Sequence, residues 1–210
     1  MRLRINDNRW VRLALLVPVL LSYGCATAPP EEPDNICEIF REKEDWHDAS
    51  VSASKRWGGP VHLPMAIMYQ ESAFREDARP PMRYFLGFIP TGRGSSAYGY
   101  SQAQTPAWSD YQRESGNSWA DRDDFEDAVD FVQWYMDKTS RINGVSKHDA
   151  FAQYLNYHEG WGGYRRGSYR SKQWLVGVAR KVERRSNMYR SQYASCKEEF
   201  ESGWFWGLFD

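Results

Sequence analysis

The sequence predicts an all-α domain, with at most a small β-hairpin or loop arm around residues 83–98. Three observations carry this expectation. Apolar side chains recur at three- and four-residue spacing in several separate segments, the pattern of helices that bury one face. Runs of alternating apolar and polar residues, the mark of half-buried strands, do not recur, and no internal repeat is evident. The Gly and Pro clusters fall between the periodic segments, where a helical domain places its turns.

In chain order, a first helix is expected over about 35–57. Ile36, Ile39, Phe40, Trp46, Ala53 and Trp57 form its stripe, and Gly58-Gly59-Pro60 stops it. A second runs from Pro64, whose fixed φ suits a first turn, to about Arg75. Residues 80–96 hold Pro80, Pro81, Pro90, Gly92 and Gly94 around Tyr84, Phe85, Leu86 and Phe88, which suits an ordered loop with aromatic anchors or a hairpin arm. Residues 97–104 read as a turn leading into a short helix that Pro106 and Trp108 continue. The clearest helix spans 124 to about 139: Phe125, Ala128, Val129, Val132, Tyr135 and Met136 keep the helical period, and Asp123 with Glu126 resembles a capping box. Another covers 147 to about 158 and breaks at 159–163. A long helix over 171–196 puts Trp174, Val178, Val182, Tyr189, Tyr193 and Cys196 on one side, before an apolar tail at 204–209 that packs on the domain or meets a membrane or a partner.

Residues 1–24 have the make-up of an export signal: Arg2, Arg4, Arg9 and Arg12, then an apolar run over 11–21 that is short for a permanent bilayer span. Gly24-Cys25 directly after it resembles the lipobox of bacterial lipoproteins, although Ser22 stands where an aliphatic residue is usual. That resemblance makes Cys25 the lipid-attachment residue and the mature N-terminus; a plain cleaved signal peptide is the alternative. Ala26 after the cysteine implies, within that family, the periplasmic face of the outer membrane. Residues 25–34 would then be the attachment point and a Pro-rich, acidic spacer, and 35–210 one domain.

The leader carries four Arg against one Asp, so its removal takes the formal charge from −1 to −4. No global basic field points to nucleic acid. Setting Cys25 aside leaves Cys37 and Cys196, an even pair in an exported chain, and a disulfide between the first and last helices is expected, with two buried thiols as the alternative. His47, His62, His148 and His158 show no metal-ligand spacing, so neither metal nor cofactor is expected, and the chain reads as a monomer. Aromatic residues make up 16% of the chain, which suits a ring-rich core first and ring-stacking on a ligand second.

One carboxylate stands out. At helical period Pro64, Ile67, Met68, Glu71, Phe74 and Arg75 share a face, so Glu71 sits on an apolar stripe. Burial favours the neutral acid and would let Glu71 donate a proton near neutrality. The competing reading pairs Glu71 with Arg75 one turn on.

Three motifs in order resemble the soluble lytic transglycosylases, lysozyme-like enzymes that cut bacterial peptidoglycan. Residues 71–78, Glu-Ser-Ala-Phe-Arg-Glu-Asp-Ala, are similar to that family's E-S-x-F-x-P-x-A segment. Gly99-Tyr100-Ser101-Gln102 resembles its G-L-M-Q turn, and Tyr157-His158-Glu159-Gly160-Trp161-Gly162 its Y-N-A-G-x-G segment. The resemblance covers about residues 64–165 and implies a lysozyme-like fold with a long sugar-binding cleft. It implies Glu71 as the sole catalytic acid/base, Ser72 as an orienting residue, Gly99, Tyr100 and Gln102 as cleft contacts, and Tyr157 as the ring whose hydroxyl approaches Glu71. The implied reaction cleaves the MurNAc-GlcNAc β-1,4 bond of peptidoglycan glycan strands and leaves a 1,6-anhydromuramoyl end. Glu159 departs from the family and is the candidate second carboxylate: turned toward Glu71 it would activate water as in a hydrolytic lysozyme, and otherwise it pairs with Arg165 or Arg166. Asp77 has the same two readings. A non-catalytic peptidoglycan-binding lipoprotein is the alternative from another class. The nine Lys and Arg between 165 and 190 read as a solvated helix face or as a patch for anionic peptide stems or lipid headgroups.

Overall fold

The computed structural model describes residues 27–206. The expected signal segment and Cys25 lie outside the described residues, as does the end of the apolar tail. Among the described residues the fold is all-α, with seven α-helices and one two-stranded antiparallel sheet.

The helix expected over 35–57 is two, α1 (Ile36–Glu42) and α2 (Glu44–Trp57), broken at Lys43, whose φ of −129° and ψ of 75° leave the helical region. The break lets α1 pack on the C-terminal helix while α2 packs on the central one. Asn35 caps α1 by accepting the Cys37 N–H, and Glu44 and Asp45 suit the positive end of the new helix. The next helix, α3 (His62–Ser72), is buried from Leu63 through Met68 because α5 and α7 flank it. It stops three residues earlier than expected. Ala73 and Phe74 take left-handed φ values of 51° and 60°, which turns Phe74 into the core beside Trp46 and Tyr69.

The hairpin expected near 83–98 forms between β1 (Met82–Phe85) and β2 (Ile89–Arg93), with Phe85 opposite Ile89 and a bulge between Arg83 and Tyr84. After the 99–102 turn come α4 (Thr105–Ser115) and α5 (Phe125–Asn143), the core's central helix. Its cap is Asp124, which accepts the Asp127 N–H. Asp123, the expected cap, accepts the Tyr98 hydroxyl at 2.7 Å instead. Trp46 stacks on Phe125 at 3.9 Å, and the buried carboxylate of Asp130 accepts from the Trp57 indole (2.7 Å), the Tyr111 hydroxyl (2.8 Å) and Arg56 (3.0 Å). Three donors make a buried charge tolerable and tie α2 and α4 to α5.

The last two helices are α6 (Ala150–Arg166) and α7 (Gln173–Trp206), joined through a 3-10 turn at Ser168–Ser171. The expected break in α6 is a kink at Gly160 (φ 70°, ψ 160°), after which the helix resumes. Helix α7 runs past the expected end and lies against α1, α3 and α6. Cys196 on α7 is joined to Cys37 on α1 by the expected disulfide. Across so long a loop, a crosslink contributes about 5 kcal/mol by the chain-entropy argument. No helix among the described residues is long and apolar enough to cross a membrane.

Residues 27–34 follow the surface of this body. The Thr27 N–H donates to Glu76, the Glu31 N–H to Glu42, the Tyr189 hydroxyl to the Pro33 carbonyl, and Arg185 pairs with Asp34 at 2.7 Å. The described part of the segment expected to be a spacer is thus fastened at Thr27, Glu31, Pro33 and Asp34.

Candidate active site

Glu71 is the penultimate residue of α3, where the helix leaves the core and meets an open cleft of about 460 Å³. Gln102, Tyr135, Tyr157, Glu159 and Gly160 line the same cleft. Burial pushes the Glu71 carboxyl up to about 7, against the pull of a hydrogen bond from the Tyr154 hydroxyl. Arg75, the alternative partner, donates to the Ser72 carbonyl at 3.2 Å, and Glu71 has no ion pair among the described residues.

The 99–102 turn is bolted in place by the other two motifs. The Ser72 hydroxyl donates to the Tyr100 carbonyl at 2.8 Å, and the Tyr157 hydroxyl to the Ser101 carbonyl at 2.6 Å. The Gln102 amide nitrogen donates to the carbonyls of Ala78 (2.7 Å) and Gly99 (3.0 Å). Its side-chain oxygen has no partner among the described residues, and Gln102 lines the cleft. Gly99 is required: at φ 75° a Cβ there would lie 1.9 Å from the Arg122 carbonyl oxygen.

Glu159 is on the cleft wall but already engaged. Oε1 accepts from Lys172 at 2.7 Å and lies 3.2 Å from His158 Nδ1, while Oε2 accepts from Lys172 at 3.0 Å and from the Ser168 hydroxyl. Burial works to raise its pKa, but hydrogen bonds from Lys172, Ser168 and His158 outweigh it and hold the carboxyl at about 2. The partner is Lys172, at the end of the 3-10 turn, in place of Arg165 or Arg166. Asp77 is exposed on the loop after α3. No cluster of three potential metal ligands occurs among the described residues.

The family model for the transglycosylase SLT domain matches residues 13–196, most of the chain and all three motifs. The chain belongs to the transglycosylase SLT domain family. No curated protein and no solved structure matches it significantly. Membership in the SLT family supports a lytic transglycosylase-type action on peptidoglycan in the cell envelope.

One residue expectation carried by the SLT resemblance changes. Tyr100 does not line the cleft: its ring is 1% exposed and packs edge-on to Trp46 and Phe125, so only its backbone serves the site. Tyr157 lies near enough for the Glu71 charge to push its hydroxyl pKa up, and it donates that hydroxyl to the Ser101 carbonyl, while Tyr154 is a second hydroxyl that acts on the Glu71 carboxyl. Tyr154 was absent from the sequence-based site, and its signal was its place one turn before Tyr157, on the same face of one helix.

Proposed function

We propose that the protein is a peptidoglycan lytic transglycosylase in which Glu71 is the only acid/base. The observation that carries the reading is the Glu71 carboxyl on the cleft wall, where burial pushes it up to about 7, with Glu159, the other carboxylate lining the cleft among the described residues, already paired. Protonated Glu71 donates to the glycosidic oxygen and the leaving sugar departs as an alcohol. The oxocarbenium-like centre left on the muramoyl ring is supported by that ring's own N-acetyl group. Carboxylate Glu71 then takes the proton of the six-position hydroxyl as its oxygen closes onto the anomeric carbon. The product carries a 1,6-anhydromuramoyl end and no water is consumed.

The engagement of Glu159 supports this over hydrolysis, because a carboxylate with four hydrogen-bonding contacts and a pKa of about 2 is a weak base. Gln102 offers its free side-chain oxygen to the glycan, and Ser72 and Tyr157 act through the turn they hold. Cys25 is proposed as the acylated N-terminus, which would put the cleft at the periplasmic face of the outer membrane.

The test is digestion of sacculi by the wild type and by Glu71→Gln, read by mass spectrometry of released muropeptides. Anhydro ends from the wild type and none from a folded Glu71→Gln are expected. Reducing ends would replace the reading with a hydrolytic muramidase, and binding without soluble products with a scaffold protein.

A further inference from the structure

The hairpin is not used by the chemistry above, and its surface is unlike the rest of the domain. Every residue of β1 and β2 is exposed. At the tip Phe85 is 59%, Leu86 69% and Phe88 71% exposed, with Tyr84 and Ile89 beside them. Single apolar side chains are ordinary on a surface, but a contiguous group on a projecting arm marks a face meant to be covered. A two-stranded ribbon standing alone is also marginal in water.

The backbone points the same way. Leu86 (φ 52°) and Gly87 (φ 79°) are the two central residues of the turn closed by the Phe88 N–H on the Phe85 carbonyl. Two left-handed positions in a row call for Asn-Gly or Gly-Gly, and a leucine at the first is held at a cost in backbone energy. What that cost achieves is an aliphatic side chain at the apex.

Charge and chain placement identify the occupant. From residue 78 to residue 109 the only charged side chains are Arg79, Arg83 and Arg93, with no acid among them. Arg79 sits 4.3 Å over the Tyr98 ring, and Arg93 donates to the Pro80 carbonyl, so the cations collar the hairpin below its apolar tip. The Thr27 N–H is fixed to Glu76 at 2.9 Å, on the loop that leads into β1 six residues later. Cys25 is two residues before Thr27. A tip of phenylalanine, leucine and isoleucine offers few hydrogen bonds to a glycan strand. It suits the boundary between lipid headgroups and acyl chains, with arginines at the level of anionic headgroups.

We propose that the hairpin docks the domain on a lipid surface, its 85–89 tip entering the headgroup–acyl boundary and Arg79, Arg83 and Arg93 meeting anionic headgroups. The proposal rests on the reading of Cys25 as the acylated N-terminus. Ala97, just past the hairpin, lines the cleft, so docking would also fix the height of the cleft above the membrane.

The test places an environment-sensitive fluorophore on Leu86→Cys, and separately on Trp119→Cys, a 93% exposed site on another loop, in the full chain bound to phosphatidylethanolamine–phosphatidylglycerol vesicles. A blue shift and quenching by brominated acyl chains are expected at 86 and not at 119. Adding Phe85→Ser and Phe88→Ser should abolish both signals. The mass of the N-terminal fragment reports acylation independently. A tip in water on an acylated, vesicle-bound chain refutes docking and leaves the anchor standing. A buried tip on a chain without acylation supports docking and refutes the anchor. A chain neither acylated nor bound refutes both. Shielding of position 86 by sacculi or by a second protein, with none from vesicles, overturns the lipid in favour of that partner.

Discussion

The hydroxyl of Tyr154 on α6 acts on the carboxyl of Glu71 at the end of α3. It favours the ionised acid, so it opposes the burial that holds Glu71 near 7. Tyr154→Phe should therefore raise the Glu71 pKa further, by about one unit for a bond to a charged group. The alkaline limb of the pH profile for muropeptide release should move up by that amount, with the fold unchanged by circular dichroism. An unmoved limb would mean that Tyr154 does not act on the titrating group.

That tyrosine also shows where sequence reasoning stopped. Tyr154 and Tyr157 are three apart on one helix and share a face, so period alone brings both toward the cleft without saying which reaches the acid. Helix α5 was legible because its apolar spacing runs unbroken from Phe125 to Met136 against neighbours on several sides. The Lys43 break was not, because the apolar stripe of α1 continues in phase into α2 and only the separate partners α7 and α5 demand the bend. Asp123 and Asp124 are adjacent carboxylates, and the cap was decided by Tyr98, far away in sequence, which takes Asp123. Tyr100 lay in a motif whose backbone faces the site and whose side chain faces the core, a division that residue types do not reveal.

Burial of Glu71 has a consequence for stability. Below pH 4.5 both folded and unfolded chains hold the proton and there is no penalty. Between 4.5 and about 7 the unfolded chain releases it first, so the folded state loses stability as pH rises, and above 7 the loss is constant. Glu71→Gln removes the titration. It should be more stable than the wild type at pH 8 by about 1–3 kcal/mol, discounted because the carboxyl borders the open cleft, and should show no gain near pH 4. Urea unfolding at the two pH values checks this.

Glu159 behaves in the opposite sense. With its folded-state pKa held at about 2, its pairing stabilises above pH 4.5 and the contribution is lost as pH falls toward 2. Glu159→Gln should be less stable than the wild type at pH 7, and the difference should shrink through that acid window. Release of anhydro-ended products should survive, because the carboxylate is not asked to move a proton. Loss of product formation by a folded Glu159→Gln would return Glu159 to the chemistry.

Gly99 and Gly160 allow crowding to be separated from backbone strain. Both hold positive φ, 75° and 70°, but a Cβ on Gly160 meets nothing within 4 Å, whereas one on Gly99 would lie 1.9 Å from the Arg122 carbonyl oxygen. Gly160→Ala therefore carries only the backbone cost, about 1–3 kcal/mol for a side chain at φ 70° and ψ 160°. In Gly99→Ala the Arg122 carbonyl must also withdraw, and it accepts the Tyr100 N–H at 3.3 Å, so that bond is lost. Tyr100 then loosens in the core beside Trp46, and with it the two carbonyls that Ser72 and Tyr157 hold. Gly99→Ala should cost about 2–4 kcal/mol and reduce turnover more than its stability loss explains, since Gln102 shifts with the turn. Denaturant titrations of the two variants side by side, with equal costs as the contrary result, decide whether Arg122 is what makes Gly99 indispensable.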